Sequence, residues 1–204
     1  MKEKTAEDKK ILKKQRIRTY FLEAAREIIL NDGVESVTVR KVADMAGYSY
    51  ATIYNYFSDL NQLLWEVKKL MINDIVEALY KKMAGMTKDV DGIRKCFKMY
   101  VEYFLVNPNV FRFFYFHHLS KPAGETGENE EEPDFDAMWE ETFKEFVISG
   151  KIRAEDIEVL ARTMIYAIHG LITLYFSEDV DYKGEDVYSE LDKVIEYILG
   201  RGQI

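Results

Sequence analysis

The stretch VADMAGYSYATIYNYF, residues 42–57, decides the fold. Seven of its side chains carry a hydroxyl or amide group, and four of those seven are tyrosines. A solvent-exposed helix face ordinarily carries Lys and Glu, whereas a buried face excludes so many polar groups. The segment therefore indicates a surface that binds another molecule. Its polar members are Tyr48, Ser49, Tyr50, Thr52, Tyr54, Asn55 and Tyr56.

The same stretch predicts two short helices joined by a tight turn. Thr38 is a good N-cap residue for the first helix, and Gly47 is suited to end it. Ser49 can cap the second helix, which is predicted to run to about Tyr56. A helix, a glycine-containing turn and a second helix form a helix-turn-helix, whose second helix can lie in the major groove of DNA.

A helical wheel gives the second helix two different faces. Ile53 and Phe57 share the face that would pack on a core. Asn can bond adenine in a bidentate manner, Thr can bond a base edge, and Tyr hydroxyls suit phosphates. This chemistry favours DNA binding, and the alternative is a three-helix packing unit with an aromatic-rich surface. The outward face would present Ala51, Thr52, Tyr54 and Asn55.

Residues 38–57, TVRKVADMAGYSYATIYNYF, resemble the DNA-binding signature of the TetR family of bacterial regulators. The shared features are a capping Thr, an apolar residue followed by Ala, an Ala-Gly turn, a Ser, and then Thr, an aliphatic residue, Tyr and a terminal Phe. The motif extends to about residue 64, and the body beyond it has no sequence motif to match. The resemblance implies an N-terminal helix-turn-helix domain, a helical C-terminal effector domain and a homodimer.

The resemblance also implies roles for single residues. Thr38 is expected to contact a phosphate, and Tyr54 and Tyr56 are expected to hold the DNA backbone. Two positions depart from the family pattern, because Leu60 stands where Lys is common and Tyr50 where a basic or small residue is common. The predicted DNA-binding residues are Thr38, Arg40, Tyr48, Ser49, Tyr50, Ala51, Thr52, Tyr54, Asn55 and Tyr56, of which Tyr50, Ala51, Thr52 and Asn55 would face the bases.

Helical patterns fill the rest of the chain, so the predicted fold is all-α with about nine helices. A first helix is predicted to end at Gly33. Two domains are predicted: a helix-turn-helix DNA-binding domain over residues 1–60, with an ordered three-helix unit at about 10–58, and an effector-binding and dimerisation domain over 61–204. The further predicted helices are 59–83, 88–105, 110–119, 134–149, 154–177 and 184–199, with a polar loop at 121–133.

Charge is unevenly distributed along the chain. The net charge of −8 ordinarily argues against nucleic acid as a partner. Residues 1–60, however, hold 11 Lys and Arg against 9 Asp and Glu, whereas residues 61–204 hold 17 against 27. A slightly basic head therefore precedes an acidic body, although a solvated N-terminal helix would give the same numbers.

The cellular compartment is predicted from features that the sequence lacks. Cys96 is the single cysteine, which fits a reducing compartment. The N-terminal segment has no apolar region typical of a secretory signal, and no run of about 18 apolar residues predicts a membrane span. We expect a cytoplasmic protein with no membrane partner.

An aromatic cluster beyond residue 99 indicates either a ligand pocket or a well-filled core. Ligand pockets are mostly apolar with a few polar groups, and the TetR resemblance favours a pocket for a small, largely apolar or aromatic effector. The histidines lack further ligands at diagnostic spacing, so no metal or cofactor is expected. The predicted pocket residues are Tyr100, Tyr103, Phe104, Phe111, Phe114, Tyr115, His118, Trp139, Phe143, Tyr166 and His169.

The last two predicted helices carry more apolar surface than one covering helix needs. Intramolecular packing alone is one reading, and the family resemblance implies a homodimer through a four-helix bundle. A two-fold dimer would present two reading helices to half-sites of a near-palindromic, double-stranded operator. The predicted interface residues are Ile165, Ile168, Leu171, Ile172, Tyr175, Leu191, Ile195 and Ile198.

These observations predict a sequence-specific DNA-binding transcriptional regulator that acts as a repressor and is released from its operator by an effector. A DNA-binding protein without an effector is the first alternative. An all-α enzyme is the alternative of a different class. The sequence contains no nucleophile elbow, P-loop or GxGxxG motif, so catalysis is not expected.

Overall fold

The computed structural model describes residues 5–86, 89–122, 143–144, 147–148, 152–177 and 183–199. Within these ranges the chain forms eight α-helices and two short 3₁₀ segments, with no strand. The predicted all-α fold is therefore confirmed. The helices are α1 (Ala6–Asp32), α2 (Val39–Ala46), α3 (Tyr50–Ile53), α4 (Leu60–Met83), α5 (Val90–Val106), α6 (Pro108–Tyr115), α7 (Ile157–Phe176) and α8 (Gly184–Leu199), and the 3₁₀ segments are Val34–Ser36 and Ala154–Asp156.

Most predicted helix ends fall within a few residues of the observed ones. α8 spans the predicted residues, and α6 begins at Pro108 because proline suits the first turn of a helix. α6 ends at Tyr115, four residues earlier than predicted, and α3 is a single turn instead of the predicted two. The predicted loop at 121–133 and helix at 134–149 lie almost wholly outside the described residues.

Local signals explain both ends of α1. Its N-terminus has a capping box, in which the Thr5 side chain accepts a hydrogen bond from the Asp8 backbone and the Asp8 carboxylate accepts one from the Thr5 backbone. At its C-terminus Gly33 has φ 82° and ψ 163°, so it ends the helix with a positive φ, but not in the left-handed helical conformation that the sequence suggested.

The described chain divides into two compact units. The first contains residues 5–71 and 109–122, and the second contains residues 72–108 together with the described residues from 143 onward. The continuous helix α4 contributes to both units. The predicted boundary between residues 60 and 61 divides a DNA-binding domain from an effector-binding and dimerisation domain. This functional division stays a prediction.

The first unit packs α1, α2 and α3 around an apolar core and includes most of α6. The Asn109 side-chain amide donates to the Leu30 carbonyl at 3.1 Å, which joins the start of α6 to the end of α1. The Lys68 ammonium donates to the Phe114 carbonyl at 2.8 Å, which joins α4 to the last turn of α6. The core side chains include Phe21, Ala25, Ile28, Ile29, Val42, Ala43, Ile53, Phe57, Leu63 and Val67.

In the second unit, α5 packs against α7 and α8. The charged edge of this contact is an ion pair between Lys98 and Asp192, with a nitrogen–oxygen distance of 2.7 Å, and Arg94 approaches the same carboxylate at 3.3 Å. The core side chains include Ile93, Phe97, Tyr100, Val101, Phe104, Phe143, Met164, Ile168, Ile172, Val187, Leu191 and Ile195.

Candidate nucleic-acid interface

Helix α2 provides the frame of the candidate interface. The Thr38 side chain caps it by accepting a hydrogen bond from the Lys41 backbone at 3.1 Å, as predicted. Val42 and Ala43 are fully buried, so this face of α2 is fixed against the core of the first unit. Lys41 also pairs with Asp32 at 2.7 Å, which ties the first turn of α2 to the end of α1.

The turn after α2 depends on one glycine. Gly47 has φ 79° and ψ 28°, the left-handed conformation that glycine adopts without steric cost. The backbone N–H of Tyr48 then donates to the Ala43 carbonyl at 2.9 Å, and that of Gly47 donates to the Asp44 carbonyl at 3.2 Å. This is the 6→1 and 5→2 hydrogen-bond pair of a Schellman C-cap. The turn therefore has a fixed geometry when it leads into α3.

Helix α3 is short because its hydrogen bonds tighten at once. The N–H of Asn55 donates to the Thr52 carbonyl and that of Tyr56 to the Ile53 carbonyl, both in the i→i+3 pattern of a 3₁₀ turn. Ser49 precedes the helix, but its hydroxyl is bonded to the Thr52 hydroxyl at 2.8 Å instead of to the backbone. The predicted seven-residue helix is thus one α-helical turn followed by a tighter turn.

The reading segment, residues 50–56, is anchored on one side only. Ile53 and Phe57 are each 2% exposed, as the helical wheel predicted. Tyr50 and Tyr54 are 58% and 54% exposed, and Ala51 and Asn55 are exposed as well. A small side chain, an amide and two phenols therefore face outward from a fixed backbone.

Aromatic packing fixes both ends of the stretch from Tyr48 to Tyr56, which includes the reading segment. The ring of Phe21 lies 5.3 Å from that of Tyr48 and 5.6 Å from that of Tyr56, measured between ring centroids. The Arg18 guanidinium lies over the Phe57 ring at 5.0 Å and pairs with Glu66. Tyr48 and Tyr56 are half-buried, so their rings are fixed by packing.

The ten residues predicted to bind DNA all lie on α2, its turn and the reading segment. Seven are exposed, whereas Tyr48, Thr52 and Tyr56 are half-buried. The structure does not test contact with DNA, so the role of each residue stays a prediction. The exposed seven are Thr38, Arg40, Ser49, Tyr50, Ala51, Tyr54 and Asn55.

The predicted pocket residues are divided between the two units. Phe111, Phe114, Tyr115 and His118 belong to the first unit, and Trp139 lies outside the described residues. The second unit contains Tyr100, Tyr103, Phe104, Phe143, Tyr166 and His169.

A polar pair lies within this second group of predicted pocket residues. Tyr100 is fully buried, and its hydroxyl is hydrogen-bonded to Nε2 of His169 at 2.8 Å. Burial lowers the pKa of His169 to about 4, so the imidazole is neutral at neutral pH. The Phe104 ring lies 4.9 Å from that of Tyr100. Tyr166 differs from the rest because its side chain is largely exposed on α7.

The predicted dimer residues lie mostly on the inner faces of α7 and α8. Ile168, Ile172, Leu191 and Ile195 are fully buried within the chain, and Ile165 nearly so. Side chains already covered by their own chain have no surface left for a second copy. The opposite face of α7 is exposed, and it carries Val159, Thr163, Tyr166, Gly170 and Leu174 at helical spacing.

Helix α7 and the 3₁₀ turn before it are unusually apolar. The stretch Ala154–Phe176 has 23 residues and a mean hydropathy of 1.4 in its most apolar 18-residue window, of which 28% is buried. By length and composition it is the one helical stretch among the described residues that meets the criteria for crossing a membrane, which the sequence pattern did not predict. Core and interface helices meet the same criteria, so the stretch does not identify a membrane protein.

No group of three or more His, Cys, Asp or Glu side chains is arranged to hold a metal ion in the part of the chain that the structure describes. His117 approaches Glu35 with a nitrogen–oxygen distance of 3.3 Å, and His169 is bonded to Tyr100. These two histidines therefore have protein partners.

The sequence pattern predicted no function for one exposed segment, the N-terminal part of α1. The first three turns of α1, residues 6–17, form a nearly fully exposed helix that carries Lys9, Lys10, Lys13 and Lys14. The excess of basic residues at the N-terminus was apparent from the sequence, but a solvated helix explained it equally well. Only the structure shows that this basic segment and the helix that contacts Tyr48 are one continuous α-helix.

Sequence comparison identifies the N-terminal unit. Residues 21–67 match the family model described as bacterial regulatory proteins, tetR family. The match begins at Phe21 and ends at Val67, and it therefore contains α2, the turn and α3. No curated protein matches the chain significantly in sequence.

Solved structures share the fold along most of the chain. A TetR-family transcription regulator from Marinobacter aquaeolei VT8 is 21% identical and has a TM-score of 0.64, covering 91% of this chain and 96% of its own. FadR from Bacillus subtilis, solved in complex with stearoyl-CoA, is 18% identical with a TM-score of 0.67 and covers 91% and 99%. RolR, solved in complex with resorcinol, is 16% identical with a TM-score of 0.66 and covers 93% and 96%.

At these identities the structural similarity establishes the fold, and the family match establishes the DNA-binding unit. The described geometry agrees with both, since a fixed α2 and a glycine turn present an outward-facing α3. Residues 21–67 thus match the family model of the tetR family of bacterial regulatory proteins, and the chain as a whole shares its fold with solved TetR-family regulators.

Proposed function

We propose that the protein is a repressor that binds a near-palindromic operator as a homodimer in the cytoplasm and leaves it when a small, largely apolar effector binds. The observation that supports operator reading best is the one-sided anchoring of the reading segment. Ile53 and Phe57 are buried, while Asn55, Ala51 and Tyr50 are exposed on the other side. Such a segment can enter a major groove without rearranging the core beneath it.

The proposed roles follow the chemistry of the exposed groups. Asn55 reads an adenine through its amide, and Ala51 allows the backbone to approach the bases. Tyr54 bonds a phosphate, and Thr38 does so at the first turn of α2. Thr52 reaches a base with a hydroxyl that is oriented by Ser49, since the two oxygens are 2.8 Å apart.

The proposed dimer interface is the outward face of α7 together with the exposed side of α8. Val159 and Tyr166 are 68% and 69% exposed, and Leu174 and Tyr197 are also large exposed apolar side chains. Gly170 lies on the same face, and a Cβ added there would meet nothing within its own chain. A helix-interior glycine costs stability, and close approach of a second helix would explain its presence.

The proposed effector site is the aromatic cluster of the second unit. Tyr100, Phe104 and Phe143 supply apolar surface, and the Tyr100–His169 pair supplies a neutral hydrogen-bonding group inside it. Two proteins with the same fold were solved with stearoyl-CoA and with resorcinol, so the fold accommodates acyl-chain as well as aromatic ligands. The effector class proposed here is a largely apolar molecule with one polar group near His169.

Release from DNA requires linkage between the two sites. An effector weakens operator binding only if it binds the DNA-competent conformation less tightly than another conformation. Helix α4 is the element proposed to carry this change, because residues 60–83 form one helix that contributes to both units. The operator must then weaken effector binding by the same factor.

This reciprocity is the test of the repressor proposal. Effector candidates, from long-chain acyl-CoA to small phenols, are screened by thermal shift, and the best binder is titrated against protein with and without operator DNA. We expect equal coupling factors in both directions, about 5–150-fold. A ligand that binds tightly without changing operator affinity would favour the alternative, a DNA-binding protein that acts without an effector.

A further inference from the structure

The N-terminal arm, defined as residues 6–17 of α1, is a helix without a cover. Residues 6–11 and 13–16 are exposed, and only Leu12 and Ile17 are half-buried. The helix is held by local interactions, since Thr5 and Asp8 form a capping box with hydrogen bonds of 3.2 and 2.9 Å. The arm is therefore a formed helix whose side chains are available for a partner.

The arm carries basic residues on the face that is apolar further along the helix. Along α1, the face that buries Phe21, Ala24 and Ile28 has a spacing of three or four residues. The same spacing leads back from Phe21 through Ile17 to Lys14 and Lys10. One face of one helix thus changes from core-forming to basic where the buried core of the first unit ends.

The arm starts beside the DNA-reading surface. Phe21 contacts the rings of Tyr48, which precedes the reading segment, and Tyr56, which is its last residue. The other end of α1 is joined to α6 through Leu30 and Asn109, so the arm points away from α6. At about 1.5 Å per residue its twelve residues reach about 18 Å, or roughly five base pairs of duplex.

Charge identifies the class of partner. The acidic side chains of the arm are Glu7 and Asp8 at its tip, and Asp8 is engaged with Thr5. Ile11 and Leu12 do not form an apolar stripe of the kind that an interfacial membrane helix needs. Residues 61–204 are strongly acidic, so the basic N-terminal segment is the surface suited to a polyanion.

We propose that the N-terminal arm binds the phosphate backbone of the DNA that flanks the sequence read by α3, through Lys9, Lys10, Lys13 and Lys14. These contacts carry no sequence information and add affinity and salt dependence. The inference rests on the proposed DNA-binding function, but it concerns phosphate contacts that any duplex offers.

The test compares full-length wild-type protein with two charge-matched variants. The arm variant replaces all four arm lysines by Gln, which preserves helix propensity. The control variant removes the same charge from exposed lysines of the second unit. Binding to DNA from beside the gene and to a random duplex is measured at several salt concentrations, and helicity is checked by circular dichroism. The control replacements are Lys82→Gln, Lys95→Gln, Lys144→Gln and Lys183→Gln.

The expected result is that the arm variant weakens binding to both duplexes by a similar factor. The slope of log affinity against log salt should fall by about 0.9 for each phosphate that the arm no longer neutralises. The control variant should keep the wild-type slope. Trimming about five base pairs from each end of the specific duplex should remove most of the difference between wild type and arm variant.

The other outcomes distinguish failure of the arm proposal from failure of the proposed DNA-binding function. Wild-type affinity and slope in the arm variant would contradict the arm contact and leave operator reading intact. The arm variant could bind both duplexes more weakly while the wild-type protein shows no preference for the DNA from beside the gene. That result would support the arm contact and count against an operator in that DNA. Failure of the wild-type protein to bind either duplex would contradict both proposals. An acidic protein would then be the alternative partner of the arm.

Discussion

Asn55 and Tyr54 are neighbours on the exposed surface of the reading segment, yet they are expected to contribute to DNA binding in different ways. An amide that bonds a base edge discriminates between sequences, whereas a phenol that bonds a phosphate does not. Asn55→Ala should therefore lose about 1–3 kcal/mol of discrimination between operator and random DNA. Tyr54→Phe should weaken both complexes alike. Competition binding with the two duplexes measures each effect.

Both substitutions replace exposed side chains, so the fold is not at risk. Asn61→Ala is not a suitable control, because its side chain bonds the Ser120 backbone at 2.7 Å. Asp44→Asn, at an exposed position of α2, is a better comparison. Equal losses on operator and random DNA for Asn55→Ala would remove Asn55 from base reading.

His169 gives a second prediction at the residue scale, and it concerns pH. Its pKa is about 4 in the folded chain and near 6.5 when unfolded, so the unfolded state binds more protons between these values. Stability should be intact above pH 6.5 and fall as pH drops toward 4. The expected loss is about 2 kcal/mol, allowing for partial exposure of the ring. Urea unfolding at pH 7 and pH 4.5 measures it.

The matched variants are His169→Gln, which cannot titrate, and His118→Gln at an exposed position. His169→Gln should lose less stability than wild type between the two pH values, and His118→Gln should lose as much as wild type. The same acid sensitivity in all three proteins would show that burial of His169 does not control it.

At the residue scale, the sequence predicted which side chains of the candidate site are buried, but not the contacts that they make. Burial of Ile53 and Phe57 followed from a helical wheel, because the period of a helix fixes which side chains share a face. The hydrogen bond between Ser49 and Thr52 and the packing of Tyr48 on Phe21 did not follow. They depend on rotamers and on contacts between separate elements, which periodicity does not encode.

At the scale of elements, the turn between α2 and α3 depends on the left-handed conformation of Gly47. Gly47→Ala should cost about 1 kcal/mol of folding free energy, because a Cβ disfavours this conformation. Nothing lies within 4 Å of the added Cβ, so the cost comes from the backbone alone. Gly85→Ala is the matched control, since its added Cβ also meets nothing and no positive φ is found there.

Chemical denaturation measures both glycine variants. A Gly47→Ala protein as stable as the Gly85→Ala protein would mean that the turn adapts at no cost. DNA binding provides a second readout, because a changed turn alters how α3 is presented. Lower operator affinity than expected from stability alone would show that the turn sets the position of α3.

Caps and breakers predicted the helix ends well where a single residue decides them. Thr38 and Gly47 mark observed ends because each has a local conformational or hydrogen-bonding preference, whereas α6 begins at Pro108, two residues before the predicted start. The length of α3 was wrong because the 3₁₀ tightening after Ile53 has no comparable residue signal. The early end of α6 coincides with the Lys68 hydrogen bond to Phe114, a contact from a distant element.

At the scale of the whole molecule, the proposed dimer uses the outward face of α7. Tyr166→Lys places a charge at the centre of that face and should convert a dimer to monomers at micromolar concentration, because the charge loses solvation without a partner. Sedimentation equilibrium measures the change. Tyr20→Lys, at an exposed position of α1, is the control, and it should stay dimeric.

The sequence did not identify the outward face of α7, because the residues predicted for the interface lie mostly on its buried side. Apolar residues occur all round α7, so the pattern could not separate the side that packs on α5 and α8 from the exposed side. Burial separates them, since Ile168 is buried and Tyr166 is exposed. A wild-type protein that is monomeric at all concentrations would contradict the dimer, whichever face is substituted.

The central claim is sequence-specific DNA binding, and the most direct measurement is a binding titration of the purified protein against DNA from beside its own gene and against random duplex at two salt concentrations. We expect tighter binding to the DNA from beside the gene by about 10³-fold or more, with the preference retained at the higher salt. Weak, equal and steeply salt-dependent binding to both, and to a wider panel of genomic fragments, would contradict it.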